Sequence, residues 1–179
     1  YLYRDVVNTV KLPAIISLSP YPSGFEATRG NVFATNGYIY VYVDTRGRRE
    51  SEGKFTPYED DAKDFYDIID WVSKQTWCNG KVATTGGSYL GFDQWQAIRK
   101  KYKHPALNAI NPMVSVGFGV DFPRQGNMFY SYILRWATYV SGKELNQPLF
   151  NDEKFWNDKY YQLYRDRQPF YKLDSVAGM

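Results

Sequence analysis

The sequence predicts an α/β fold in which short, buried, mostly parallel strands alternate with helices. Three observations predict it. The run PAIISL at residues 13–18 is short, mainly apolar and rich in β-formers, so it reads as a strand, and GYIYVYV at 37–43, apolar on both faces, reads as a central one. Apolar residues then recur at helical spacing, and a third short β-type run, KVATTG at 81–86, leads through glycine and serine into another helix. A strand, helix, strand, helix order implies right-handed crossovers and places function at the carboxyl ends of the strands.

Taken in order, the first strand is closed by SPYPSG, whose prolines and glycine forbid its continuation and leave Tyr21 in a loop at the strand's end. The DTRG that follows the second strand, with Asp44 and Arg46, reads as a hydrogen-bond and ion-pair knot. Thr56, Pro57 and Glu59 have the arrangement of an N-cap, a first helical proline and a capping box. Ala62, Phe65, Tyr66, Ile69 and Val72 form one buried face of that helix, and Asp60, Asp64 and Asp67 an opposite, solvated one. Asn79-Gly80 ends the unit. The helix after Ser88 extends to about Tyr102, with Lys100, Lys101 and Lys103 at its negative end, and residues 106–114 supply the next strand.

From residue 117 the pattern changes. Residues 118–171 hold fifteen of the thirty-three aromatics, broken by PRQG, SG and NQP into short stretches that read as helical, such as 128–139 and 152–164. The expected organisation is therefore a partial α/β core over residues 1–116 and the opening of a helical cap over 117–179.

Composition narrows the partners. A net charge of +3, dispersed along the chain, does not predict nucleic acid binding, and no apolar run approaches the eighteen or so residues of a membrane span. Cys78, the single cysteine, excludes an internal disulfide framework and a cysteine-rich metal site. The aspartate row on one helix cannot wrap a cation that needs six or more oxygens, so neither a metal nor another cofactor is expected. Compartment and oligomeric state are not encoded in any motif.

The stretch that carries chemistry is KVATTGGSYLGFDQW. A serine hydroxyl becomes a useful nucleophile when a sharp strand-to-helix turn pushes it out of the sheet, with a base beside it and amide donors nearby. Gly86 and Gly91 bracket Ser88 and let the turn tighten and the helix approach the strand. The spacing departs from G-x-S-x-G, because Leu90 takes the second position after the serine and glycine comes one later. An ordinary glycine-rich connection shares this pattern. The helix N-terminus offers the Tyr89 N–H to an oxyanion, and Tyr21, if not merely packed on the surface, is a phenol able to donate to the same charge.

GGSYLGFDQWQA, preceded by VDTRGRRESEGKF and WCNGKVATTG, resembles the serine hydrolase family that includes cocaine esterase, α-amino acid ester hydrolase, glutaryl acylases and X-prolyl dipeptidyl peptidase. That family's nucleophile motif is G-x-S-Y-x-G, which places Gly91 correctly. The resemblance runs from about Tyr3 to about Phe129 and implies an α/β-hydrolase fold with Ser88 as nucleophile. It also implies the Tyr21 hydroxyl as one oxyanion donor, and it treats D-x-R-G as scaffold. Asp121, in VDFPRQG, resembles a carboxylate that contacts the substrate's ammonium in the α-amino acid ester hydrolase branch; a helix-cap aspartate is the competing reading.

The single histidine, His104, is sixteen residues beyond Ser88, about 24 Å away along a helix. It cannot be the base. Asp152, Asp158 and Asp174 fall in the cap segment and are poor candidates for the acid. The resemblance puts the triad aspartate and histidine beyond residue 179, and the family's opening strands before residue 1. The expectation is a serine hydrolase acting on a small-molecule ester, amide or peptide, with acyl or α-amino acid esters first and X-prolyl peptides second. A different class, an inert fragment or pseudoenzyme that keeps the corner without a base, is distinguished by a serine that never labels.

Overall fold

The computed structural model describes residues 1–7, 9–21, 26–117, 124–125, 128–129 and 136. The first compact unit ends at Ser115 and is built on a five-stranded sheet. Its elements in chain order are β1 (Leu2–Tyr3), β2 (Leu12–Ser19), α1 (Glu26–Thr35), β3 (Ile39–Asp44), α2 (Asp61–Ser73), β4 (Cys78–Gly87), α3 (Tyr89–Ala97) and β5 (Leu107–Met113). The spatial order is β1-β3-β2-β4-β5, and every pairing is parallel except that of the short β1 with β3.

β2 is the middle strand, and its successive residues face opposite layers. Ala14, Ile16 and Leu18 pack with Phe65, Ile69 and Val72 of α2 and with Val82 of β4. Ile15 packs on the other face with Tyr40 and Tyr42, against which Tyr3 and Phe33 lie. Both faces are therefore dry, which is why these strands read as unbroken apolar runs. The parallel register brings Ser19 beside Asp44, so the ends of β2 and β3 lie level. Gly87 pairs with Met113, which sets the end of β4 beside that of β5.

Several local expectations change. α1 was not anticipated: Gly30 interrupts its helical propensity, and glycine is required there because a Cβ would lie 2.3 Å from the Tyr3 ring. α2 begins at Asp61 with Asp60 as its N-cap, and not at Thr56. Tyr58 adopts φ 65°, a left-handed conformation that no helical residue holds, so Thr56, Pro57 and Glu59 form a turn and not a capping box. The expected acidic face of α2 is only partly solvated, since Asp67 is exposed but Asp64 is buried, and Tyr66, expected on the buried face, is 37% exposed. Asp64 turns inward because Arg46 grips its carboxylate through both Nε and Nη2. α3 stops at Ala97, where the chain enters a series of turns, instead of continuing to Tyr102.

Beyond Ser115 the described residues belong to a second compact unit. There β6 (Arg124–Gln125) and β7 (Met128–Phe129) pair antiparallel. The expected helical stretch from residue 128 thus opens as a strand. The expected helix over residues 152–164 lies outside the described residues. Among the described residues, no helix is long and apolar enough to cross a membrane.

Candidate active site

Ser88 stands at the end of β4 and is the N-cap of α3, with φ 58° and ψ −119°. An L-residue rarely occupies that region, and holding one there costs on the order of 1–3 kcal/mol that the surrounding packing must offset. The surroundings specify it tightly. The Ser88 N–H donates to Met113 O at 3.1 Å, tying the corner to β5, and the Ser88 carbonyl accepts from Gly91 and Phe92 at 3.0 and 3.1 Å, starting α3. Gly86, at φ 155°, would place a Cβ 2.4 Å from that of Leu90, and a Cβ on Gly91 would lie 3.0 Å from Ser115 Cα and 3.1 Å from Met113 O. Both glycines let α3 start directly against the sheet. Ser88 itself is exposed.

A serine held this way is presented to a ligand at the carboxyl end of a parallel strand, with a helix N-terminus behind it. That terminus carries partial positive charge where an oxyanion would form. Tyr21 follows β2, the neighbour of β4, by two residues, so it belongs to the same edge of the sheet. Its N–H is held by Ser19 Oγ at 3.1 Å and its carbonyl by the Tyr42 hydroxyl at 3.0 Å. The Tyr21 ring meets that of Tyr89 edge-on, with centroids 6.4 Å apart. Ser88, Tyr21 and Tyr89 are thus brought together.

Tyr89 is fully buried and serves as more than a source of one N–H. Its hydroxyl donates toward Asp61 Oδ1 and Oδ2 at 3.2 and 3.1 Å and accepts from Tyr58 N at 2.8 Å. Tyr58 stacks on it at 4.6 Å, which explains why Tyr58 is worth its strained φ. Burial pushes the Asp61 carboxyl up while the Tyr89 phenol opposes that shift. Burial, and then the negative Asp61, drive the Tyr89 phenol well above its ordinary value, so it remains a donor.

Three site-forming residues escaped the sequence reading: Asp61, Asp93 and Gln94. Gln94 is fully buried, accepts from Thr84 Oγ1 at 3.0 Å and from Asn111 N at 2.9 Å, and donates to Gly86 O at 3.1 Å and Leu90 O at 2.9 Å. It fastens α3 to β4 and β5 directly behind the corner. The available signal was its place on the Leu90, Gln94, Ala97 stripe, a polar residue at a position where helical spacing demands an apolar one.

His104 is not part of this site. It precedes β5, whose Leu107 pairs with Val82 early in β4, so it lies toward the amino ends of the strands, opposite Ser88. α3 ends too early for the straight-helix distance to apply, yet the topology reaches the same exclusion. His104 Nε2 lies 3.3 Å from Asp70 Oδ1, its Nδ1 accepts from Ala106 N at 3.1 Å, and its ring packs edge-on to Tyr66. It pins the end of α2 to the start of β5. Asp121, Asp152, Asp158 and Asp174 lie outside the described residues. Among the described residues, no group of three or more His, Cys, Asp or Glu side chains could hold a metal ion.

Comparison with known proteins sets this corner in a family. The sequence model of X-Pro dipeptidyl-peptidase (S15 family) matches residues 6–172. The chain belongs to that family. Within and around S15, residues of this chain are 39% identical over 102 positions to the cocaine esterase of Rhodococcus sp. (strain MB1 Bresler), covering 54% of this chain and 18% of the esterase. They are 26% identical over 184 positions to the Xaa-Pro dipeptidyl-peptidase of Streptococcus sanguinis (strain SK36), covering 78% of this chain and 24% of the peptidase. Among solved structures, an α-amino acid ester hydrolase superposes with a TM-score of 0.64 and 27% identity over 73% of this chain and 25% of its own. The chain therefore spans about a fifth to a quarter of the length of these S15 relatives, and its mostly parallel sheet is part of an α/β-hydrolase fold.

Proposed function

We propose that this chain carries the nucleophile of a serine hydrolase that cleaves ester or amide bonds through an acyl-serine intermediate. The observation that carries the reading is the exposed Ser88 held at φ 58° between Gly86 and Gly91 at the N-terminus of α3. In this mechanism Ser88 Oγ attacks the substrate carbonyl, its proton passes to a histidine outside residues 1–179, and the carbonyl oxygen becomes an oxyanion between the Tyr21 hydroxyl and the Tyr89 N–H. Collapse expels the alcohol or amine, and water then releases the acid. No cofactor enters. Residues 117–179 open a helical cap domain in this reading, and Asp121 is the carboxylate offered to the ammonium of an α-amino acyl substrate.

Ester and acyl substrates come first because the chain is 39% identical to an esterase over the matched residues, against 26% to the dipeptidyl-peptidase. A second reading, release of X-prolyl dipeptides, is favoured by the family description itself. The ratio of kcat/KM on p-nitrophenyl esters to that on X-Pro anilides separates the two.

The direct test is a fluorophosphonate probe followed by intact mass. The full-length protein gains one adduct, mapped to Ser88, as the hydroxyl oxygen displaces fluoride from phosphorus. A protein that never labels is an inert module and overturns the reading. A companion prediction concerns the oxyanion: Tyr21→Phe lowers kcat by about 10²–10³, near 3 kcal/mol of transition-state stabilisation, with little change in melting temperature. Unchanged kcat would return Tyr21 to a packing role.

A further inference from the structure

We propose that Asp93 is kept as a neutral acid beneath the nucleophile corner while Asp61 is the anion that holds the Tyr89 phenol, and that these two carboxyls position Ser88.

The geometry comes first. Asp93 is 0% exposed, and among the described residues neither of its oxygens has a hydrogen-bond partner. Tyr89 and Asp93 are four residues apart on α3, so they stand one turn apart on one face, and the Tyr89 hydroxyl lies 3.1 Å from Asp61 Oδ2. α2 packs against α3 and delivers Asp61 into the same dry layer. A carboxylate taken out of water without a partner neutralises itself by keeping its proton.

The two acids are not equivalent. Asp61 is the first residue of α2, where free amides and the helix dipole favour negative charge, and it receives the phenol. Asp93 receives neither. The groups that face the pair are Asp60 and Asp64 from α2, Tyr58 from the preceding turn and Tyr89 from α3. From the strands, the α3 neighbours are the uncharged Thr84, Gly86 and Asn111. Arg46 is already gripped by Asp64. Every further charge close to Asp93 is therefore negative. Burial first, then repulsion from Asp61 and Asp64, push the Asp93 carboxyl well above the usual range.

Burial pushes the Asp61 carboxyl up to about 7, so above that pH, while Asp93 keeps its proton, the single charge on Asp61 is satisfied by Tyr89, and Tyr89 anchors the first turn of α3 beside Ser88. Loss of the Asp93 proton puts a second negative charge into the same space and loosens that anchor. The sign follows from linkage. The folded state holds this proton more tightly than the unfolded chain, so the stability it confers is greatest below the ordinary carboxyl pKa of about 4 and declines as pH rises toward the raised folded value.

The experiment uses the full-length protein, wild type and Asp93→Asn, between pH 5 and 10. In the wild type, the fluorophosphonate labelling rate of Ser88 falls about tenfold at the alkaline end while melting temperature drops. Asp93→Asn, which cannot ionise, keeps both nearly level over the alkaline range. Infrared difference spectroscopy of the wild type at pH 8 shows the carbonyl band of a buried, protonated carboxyl. Identical alkaline declines in the two proteins overturn the proposal, as does absence of the band, which decides the matter even if Asp93→Asn does not fold. The labelling arm rests on the hydrolase reading. A Ser88 that never labels at any pH sinks that reading, and melting and infrared still decide the fate of the pair.

Discussion

Ser88→Ala leaves a folded protein whose turnover of ester substrates is lower by about 10⁴–10⁶, the range seen when a hydrolase nucleophile is removed. The size of the loss follows from the chemistry. Without Oγ no acyl-enzyme forms, and only the oxyanion donors and substrate binding continue to help a water molecule. Stability stays within about 0.5 kcal/mol of wild type, because Ser88 is exposed and alanine keeps the Cβ that makes φ 58° unfavourable. Ser88→Gly is the informative companion. Glycine accepts a positive φ without penalty, so this variant is expected to gain about 0.5–1 kcal/mol while losing turnover as completely as alanine. Activity and stability moving in opposite directions at one residue is the signature of strain held for function. Melting curves and single-turnover assays on the three proteins check it. Retention of more than about a tenth of wild-type kcat in Ser88→Ala would remove Ser88 from the chemistry.

What could be read from the sequence, and what could not, divides along physical lines. The central strands were legible because both sheet faces are covered, so Ile15 and Ile16 of β2 are both buried and only Ser17, itself buried, interrupts the apolar run. The corner was legible because a Cβ on Gly86 would meet Leu90 at 2.4 Å, which no side chain could fit, and one on Gly91 would press on Ser115 Cα at 3.0 Å. α1 was obscured because Gly30 is there to admit the Tyr3 ring, a tertiary reason that lowers local propensity. The start of α2 was misplaced since Thr56 and Pro57 carry perfect local signals, yet Tyr58 must turn left-handed to bring its N–H to Tyr89. Asp64 looked like part of a solvated face, and Asp61 went unremarked, because helical spacing describes one element at a time. Their burial is decided by Tyr89 and Arg46, which arrive from elsewhere in the chain.

Gln94→Leu destabilises the fold by about 3–5 kcal/mol and slows labelling of Ser88 even where the variant remains folded. Leucine is close to glutamine in volume, so the effect isolates hydrogen bonding and not a cavity. The Gln94 amide joins four groups: the Thr84 hydroxyl, Asn111 N–H, Gly86 carbonyl and Leu90 carbonyl. Leu90 O retains its place in a helix, but Thr84 is buried and loses its acceptor, while Gly86 O and Asn111 N–H belong to strand ends that meet at the corner. The buried Thr84 hydroxyl and Gly86 carbonyl each cost about 1–3 kcal/mol when left without a partner, the exposed Asn111 N–H costs less because water can reach it, and the three act on one network, so their costs do not simply add. Against a total stability of about 5–15 kcal/mol for a domain, this is a large fraction. The functional consequence follows from position. Gly86 is two residues before Ser88 on β4, and Asn111 is two before Met113, whose carbonyl receives the Ser88 N–H at 3.1 Å. Slackening of both strands therefore widens the set of Ser88 conformers and lowers the fraction aimed at a substrate carbonyl. Urea unfolding gives the stability change, and labelling rates measured well below the unfolding midpoint give the positional one. A midpoint shift equivalent to less than about 0.5 kcal/mol would show that water or a repacked neighbour replaces the amide, and that the corner is held by its glycines and the Met113 bond alone.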